Sequence, residues 1–148
     1  MRSLFDSATR QEVTSRVARL RSDTRPLWGR FTSPQMLAHI NDALRMAMGD
    51  LPTKPKRGAL RYPPLKQIVV YWLPWPKGAP TAPELLARID QAQWSTEVAV
   101  FPQQLERFGA RARERVWPEH PAFGRLSPRA WGVLQYRHLD HHLRQFGV

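Results

Sequence analysis

Ser127-Pro128-Arg129-Ala130-Trp131-Gly132-Val133-Leu134-Gln135-Tyr136-Arg137-His138-Leu139-Asp140-His141-His142-Leu143-Arg144-Gln145-Phe146 decides how this chain folds. Ser127 offers a side-chain oxygen to the first free N–H groups of a helix, and Pro128 suits the first turn, where a missing N–H costs nothing. At about 100° per residue, Trp131, Leu134, His138 and His142 share one inward stripe. Two ionisable imidazoles therefore stand where a bundle helix would normally carry leucine. Histidines at i and i+4 can reach one ion together, which makes half of a metal site. The bland alternative is a pair of core histidines bonded to backbone or carboxylate partners. In that case each ring leaves a nitrogen to be satisfied inside the core.

A third ligand is available at His39, on a second predicted helix. Ser33 is read as its N-cap, Pro34 as its first residue and Gly49 as its stop. Met36, Ile40, Ala43 and Ala47 form one face, and His39 lies at its edge, one turn before the small Ala43. Asp42 follows His39 by about a turn; it either orients that imidazole or is an exposed helix carboxylate. His141 points about 60° away from the central stripe and is read as a rim group. Asp140 falls on the far face as a solvated charge. His120, between Glu119 and Pro121, sits in a loop: either a turn histidine packed under Trp117 and Phe123, or, with Glu119, an acid–base candidate near the metal. The catalytic candidates are thus His120, Glu119 and His141; the metal candidates are His39, His138 and His142.

The rest of the chain supplies the scaffold. Ala8 to Leu20 carries Val13, Val17 and Leu20 at helical spacing, with Asp6 or Ser7 as cap, and Arg25-Pro26 closes the region. Prolines 52, 55, 63, 64, 74, 76, 80 and 83 forbid one long helix over 51–83. That stretch is read as a loop, a short helix over Leu65–Leu73, a second loop through Lys77-Gly78-Ala79-Pro80, and a capping box at Thr81-Ala82-Pro83-Glu84 opening one helical turn. A third long helix is expected from Gln93 to Arg113, with Val98, Phe101, Leu105 and Phe108 inward. Pro102 inside it implies a kink or a later start. Four long helices without strand alternation predict an all-α, four-helix bundle, one domain over 1–148, with the Pro-rich insertion between helices two and three.

Composition narrows the function. Cysteine is absent, which excludes a disulfide framework and a thiolate zinc site and leaves imidazole, carboxylate and water as ligands. The opening residues lack the apolar run of a signal peptide, and Ile68–Leu73 is too short to span a bilayer, so a cytoplasmic protein with no membrane partner is the expectation. The formal net charge of +11 attracts polyanions. Lysine occurs only at 54, 56, 66 and 77, and the arginines are scattered without interleaved stacking aromatics, so nucleic acid is a secondary expectation. No nucleophile elbow, phosphate-cradling loop, dinucleotide fingerprint or His-Glu-x-x-His motif occurs. Closely spaced carboxylates of the glycosidase kind are missing too.

A helix-two histidine followed by a late His-x-x-His-His segment running into Arg144-Gln145 resembles the DinB-like (YfiT-like) superfamily of metalloproteins. His120-Pro121-Ala122-Phe123-Gly124, Trp131-Gly132, His138 to Gly147 and Lys77-Gly78-Ala79-Pro80-Thr81-Ala82-Pro83 are similar to an uncharacterised branch of it, so the likeness runs along nearly the whole chain. The resemblance implies an up-down-down-up bundle holding a divalent ion through His39, His138 and His142, with water or substrate in the open positions. Zinc or nickel suits such ligands. Relatives of this kind imply a transferase that uses a low-molecular-weight thiol, or a hydrolase, acting on a small-molecule substrate. The long Pro-rich insertion departs from shorter members, so the substrate is not inherited. A homodimer is also expected, with Trp72 and Trp75 on an exposed apolar patch. The alternative from another class is a non-catalytic binding protein whose basic surface engages nucleic acid or an acidic partner.

Overall fold

The computed structural model describes residues 1–78, 83–86 and 89–148. Five α-helices form: α1 (Ser7–Val17), α2 (Ser33–Met48), α3 (Leu65–Tyr71), α4 (Trp94–Ala110) and α5 (Pro128–Gln145). Short 3-10 turns stand at Pro83–Leu85 and Ile89–Gln91, and no strand occurs among the described residues. The chain is all-helical, as its patterning predicts. No helix among these residues is long and apolar enough to cross a membrane. The Thr81 cap expected before Pro83 lies outside the described residues.

Caps set the helix ends. Asp6 opens α1 by accepting from the Ala8 N–H at 3.3 Å and the Thr9 hydroxyl at 2.8 Å. That helix stops at Val17, short of Leu20, although Leu20 is still buried. The cap of α2 is Thr32, not Ser33. Thr32 Oγ1 accepts from the Gln35 N–H and the Gln35 side chain accepts from the Thr32 N–H, a reciprocal box that Ser33 has no partner to build. Ser33 is instead fully buried. Gly49 ends α2 in the left-handed region at φ 88°, where a side chain would be strained. Helix α4 continues through Pro102, which stands on the exposed face. Ser127 caps α5 by accepting from the Ala130 N–H at 3.2 Å.

Helix α2 is the axis of the molecule. From Met36 to Leu44 every residue is buried, because α4 and α5 cover it on two sides and the two 3-10 turns of the insertion cover a third. Helix α1 packs on α4 and α5, and α3 packs on α5. One connected core runs from Leu4 to Phe146 through Met36, Ile40, Phe101, Phe108, Trp131 and Leu139. Buried Asn41 ties α2 to α4, its side-chain amide donating to the Glu97 carboxylate at 2.8 Å and the Glu97 carbonyl at 3.1 Å.

Two side chains of α5 fasten other elements to it. Arg137 donates to the carbonyls of Val69 and Val70 at 2.9 and 2.7 Å, and to that of Leu73. Val69 and Val70 offer free carbonyls of the last turn of α3, and Leu73 lies just beyond it, so a cation on α5 caps the C-terminal end of that helix. Asp140 is not the solvated charge its helical phase suggests. It pairs with the largely buried Arg16 of α1 at 2.8 Å and with Arg144 at 2.9 Å, because α1 packs over that face of α5.

Candidate metal centre

His39 comes from the middle of α2, and His138 and His142 from successive turns of α5. The packing of α2 on α5 brings the three rings into a near-equilateral triangle, with centroids 4.9, 4.8 and 4.9 Å apart. One nitrogen of each ring lies within 4.8 Å of the other two. Nε2 of His39 faces Nε2 of His138 at 3.0 Å. Tetrahedral nitrogens about 2.0–2.1 Å from a zinc ion would stand ~3.3 Å apart, so this pair needs little movement to share an ion.

The second nitrogens discriminate between the possible states. His142 Nδ1 lies 2.9 Å from Gln145 Oε1, one turn along the same helix. Gln145 Nε2 donates to the Trp28 carbonyl at 2.7 Å, which orients the amide and leaves Oε1 as an acceptor. His142 must then carry its proton on Nδ1 and keep the Nε2 lone pair free. The approach needs Gly29: at φ 82°, a Cβ there would overlap Gln145 Nε2. His39 Nδ1 is buried without a well-formed hydrogen bond, with the Leu85 backbone close enough to favour its proton. A His39–His138 hydrogen bond would engage both of those Nε2 atoms, one donating and one accepting, and leave the Nε2 lone pair of His142 unused. A divalent cation would use one lone pair from each of the three rings.

Electrostatics keeps these rings neutral. Burial, reinforced by repulsion from His142 and partly offset by the Leu85 backbone, lowers the His39 pKa to about 3. Burial and then His142, His39, His141 and His120 hold His138 well below the ordinary histidine value. His142 is lowered to about 4, by burial first; its bond to Gln145 works the other way and His141 adds to the lowering. Neutral imidazoles are what a cation needs, since a protonated ring has no lone pair to give.

Aromatic rings from two loops wall the triangle. Phe31, ahead of α2, stands 5.4 Å from His39 and 6.1 Å from His142. Trp75, from the insertion, stands 5.5 Å from His138 and 6.1 Å from His141. Trp75 is therefore not on the exposed apolar patch expected from sequence. Only Trp72 is, at 73% exposure, because the chain turns back over α5 after Pro74. His141 lies at the rim as phase predicts, between Trp28 and Trp75, its pKa lowered by burial against an opposing effect of Asp140. Asp42 is not an exposed carboxylate: it is buried and pairs with Arg45 at 3.1 Å.

The other two candidates sit in a separate loop. His120 Nδ1 accepts from the N–H groups of Ala122 and Phe123 at 3.1 and 3.2 Å, and its ring packs on Phe123 and Trp131. Burial, with a smaller push from Lys56, lowers its pKa to about 3. Glu119 is gripped by Arg61 at 2.7 Å and Arg125 at 3.3 Å, and chiefly the Arg61 bond holds it below the usual carboxylate range. Much of the arginine content is spent similarly inside the molecule, as at Arg16, Arg45, Arg61 and Arg137.

Sequence reasoning missed Gln145, Trp28 and Phe31. Gln145 stands three residues after His142, on its face of the helix, and that spacing was a usable signal. Nothing local pointed to the other two.

Residues 2–147 match the family model described as Protein of unknown function (DUF1569), and the chain belongs to that family. No curated protein and no solved structure matches the chain.

Proposed function

We propose that this chain is a divalent-metal protein of DinB-like type: a four-helix bundle of up-down-down-up order whose ion is held by His39, His138 and His142. The observation that carries the proposal is the Trp28–Gln145–His142 chain of hydrogen bonds. It spends a glutamine and a left-handed glycine on fixing the free nitrogen of His142 toward two other imidazoles. A histidine buried only for packing needs no such orientation. The pairing of α2 and α1 each with both α4 and α5 supports the bundle.

Three histidines leave coordination positions open, as catalytic sites do. When bound, zinc or nickel would polarise a substrate or lower the pKa of a water or thiol. Gln145 holds His142, the Phe31 and Trp75 rings limit water around the triangle, and His141 at the rim is the ring placed to exchange a proton with a bound small molecule. The reaction fits transfer from a small thiol, or hydrolysis. We assign no step to His120 or Glu119: the Nδ1 of one accepts two backbone N–H groups, and the carboxylate of the other is held by two arginines.

Elemental analysis of tag-free protein tests the proposal. About one zinc or nickel per chain is expected, with a fall in melting temperature on chelation. Protein that carries no metal, takes none up and melts unchanged after chelation overturns it.

A further inference from the structure

A divalent ion on three neutral imidazoles brings two uncompensated positive charges into a half-buried, aromatic-walled place. Such charge is costly without a counter-charge. Among the described residues no carboxylate joins the histidine group. The acidic side chains of α2 and α5 are engaged with arginines: Asp42 with Arg45, and Asp140 with Arg16 and Arg144. The protein adds a further cation instead. Lys77 Nζ lies 4.6 Å over the Trp28 ring, which stands 6.0 Å from the His141 ring, and no salt bridge joins Lys77 to a carboxylate among the described residues.

A second observation comes from the indoles. Nε1 of Trp28 and Nε1 of Trp75 are both buried without a hydrogen-bond partner among the described residues. Buried indole N–H groups usually find an acceptor, and here two orphan donors flank the same histidine, His141. Cation, N–H donors and apolar ring faces thus gather at the rim, and side-chain acceptors are scarce there.

We infer that the ligand completing the site is a small organic anion, with a flat or apolar body lying among Phe31, Trp28 and Trp75 and a carboxylate-like head answered by the ion and by Lys77. Trp28, Trp75, Lys77 and His141 are its recognition residues. The inference rests on the metal reading above. It excludes neutral esters and amides as preferred ligands, and it assigns the Pro-rich insertion, which carries Trp75 and Lys77, the task of choosing the ligand.

The test uses cobalt(II)-loaded full-length protein, whose visible spectrum reports both ion and ligand. Benzoate and its neutral counterpart benzamide are titrated into wild type and Lys77→Met. Benzoate should bind at least about tenfold tighter than benzamide in wild type. Lys77→Met should narrow that preference roughly fivefold to tenfold while the ligand-free cobalt spectrum stays unchanged. Equal binding of the two probes, or a preference indifferent to Lys77→Met, overturns the inference and leaves the metal proposal standing. Failure to bind cobalt at all sinks both, and is told apart by the missing spectrum.

Discussion

Two groups of buried or half-buried histidines in this molecule share a lowered pKa, caused first by burial, and differ in what their ring nitrogens meet. His120 sits in the 119–124 loop with its Nδ1 taken by two backbone N–H groups and its ring pressed on Phe123 and Trp131. His39, His138 and His142 face one another, with His142 held so that its Nε2 stays bare and His39 Nδ1 without a proper partner. Burial alone therefore does not mark a site. A lone pair left over after the protein has made its own hydrogen bonds is what the metal proposal requires, and His142 keeps one.

Alanine replacement should split the two groups most sharply. His138→Ala is expected to lose the metal outright, from about one ion per chain to none, with the helical circular-dichroism spectrum kept. His120→Ala should keep the ion and lose about 2–3 kcal/mol in denaturant unfolding, since ring packing goes and two N–H groups are orphaned. Metal loss in both variants, or in neither, would erase the distinction.

Loaded and chelated protein offer the next contrast. At metal concentrations one hundred times the dissociation constant, binding should add about 2.7 kcal/mol to wild type and nothing to His138→Ala. A chelator that shifts the melting of both equally acts elsewhere.

The orienting chain can be cut without touching a ligand. Gln145→Leu should weaken metal binding by about 10- to 100-fold in a competition titration. Gly29→Ala, by driving Gln145 away, should move affinity in the same direction. Unchanged affinity in both would make Gln145 a packing residue.

Acid titration tests the loop histidine by itself. The folded pKa of His120, about 3, lies below its unfolded value near 6.5, so the unfolded chain binds the proton first. Its contribution to stability is whole above pH ~6.5 and is lost as pH falls from there toward 3. Chelated wild type should lose stability over this window more steeply than chelated His120→Gln. Parallel curves would mean that the buried ring is not the titrating group.

The motifs legible in the sequence were those written in local geometry. Helical phase sorted His138 and His142 inward and His141 to the rim, and the Ser127-Pro128 start and Gly49 stop follow from backbone chemistry within a turn. The same phase argument failed for Asp140 and Asp42. It ranks faces of a lone helix and cannot know that α1 will bring Arg16 against one of them, or that α2 will be enclosed on nearly every side. The choice of Ser33 over Thr32 failed for a smaller reason: both are good caps, and only the Gln35 side chain, three residues on from Thr32, decides between them.

By itself, then, the sequence determined the helices, their inward stripes and the spacing that lets two histidines of α5 share a target. Tertiary structure decided that His39 is the third member and that Gln145 fixes the tautomer. It also decided that Trp75 roofs the histidines while Trp72 remains in solvent, and that Lys77 lies over the Trp28 ring. Periodicity is a property of neighbours a few residues apart, whereas these pairings join residues dozens to more than a hundred positions apart, and only packing brings them together.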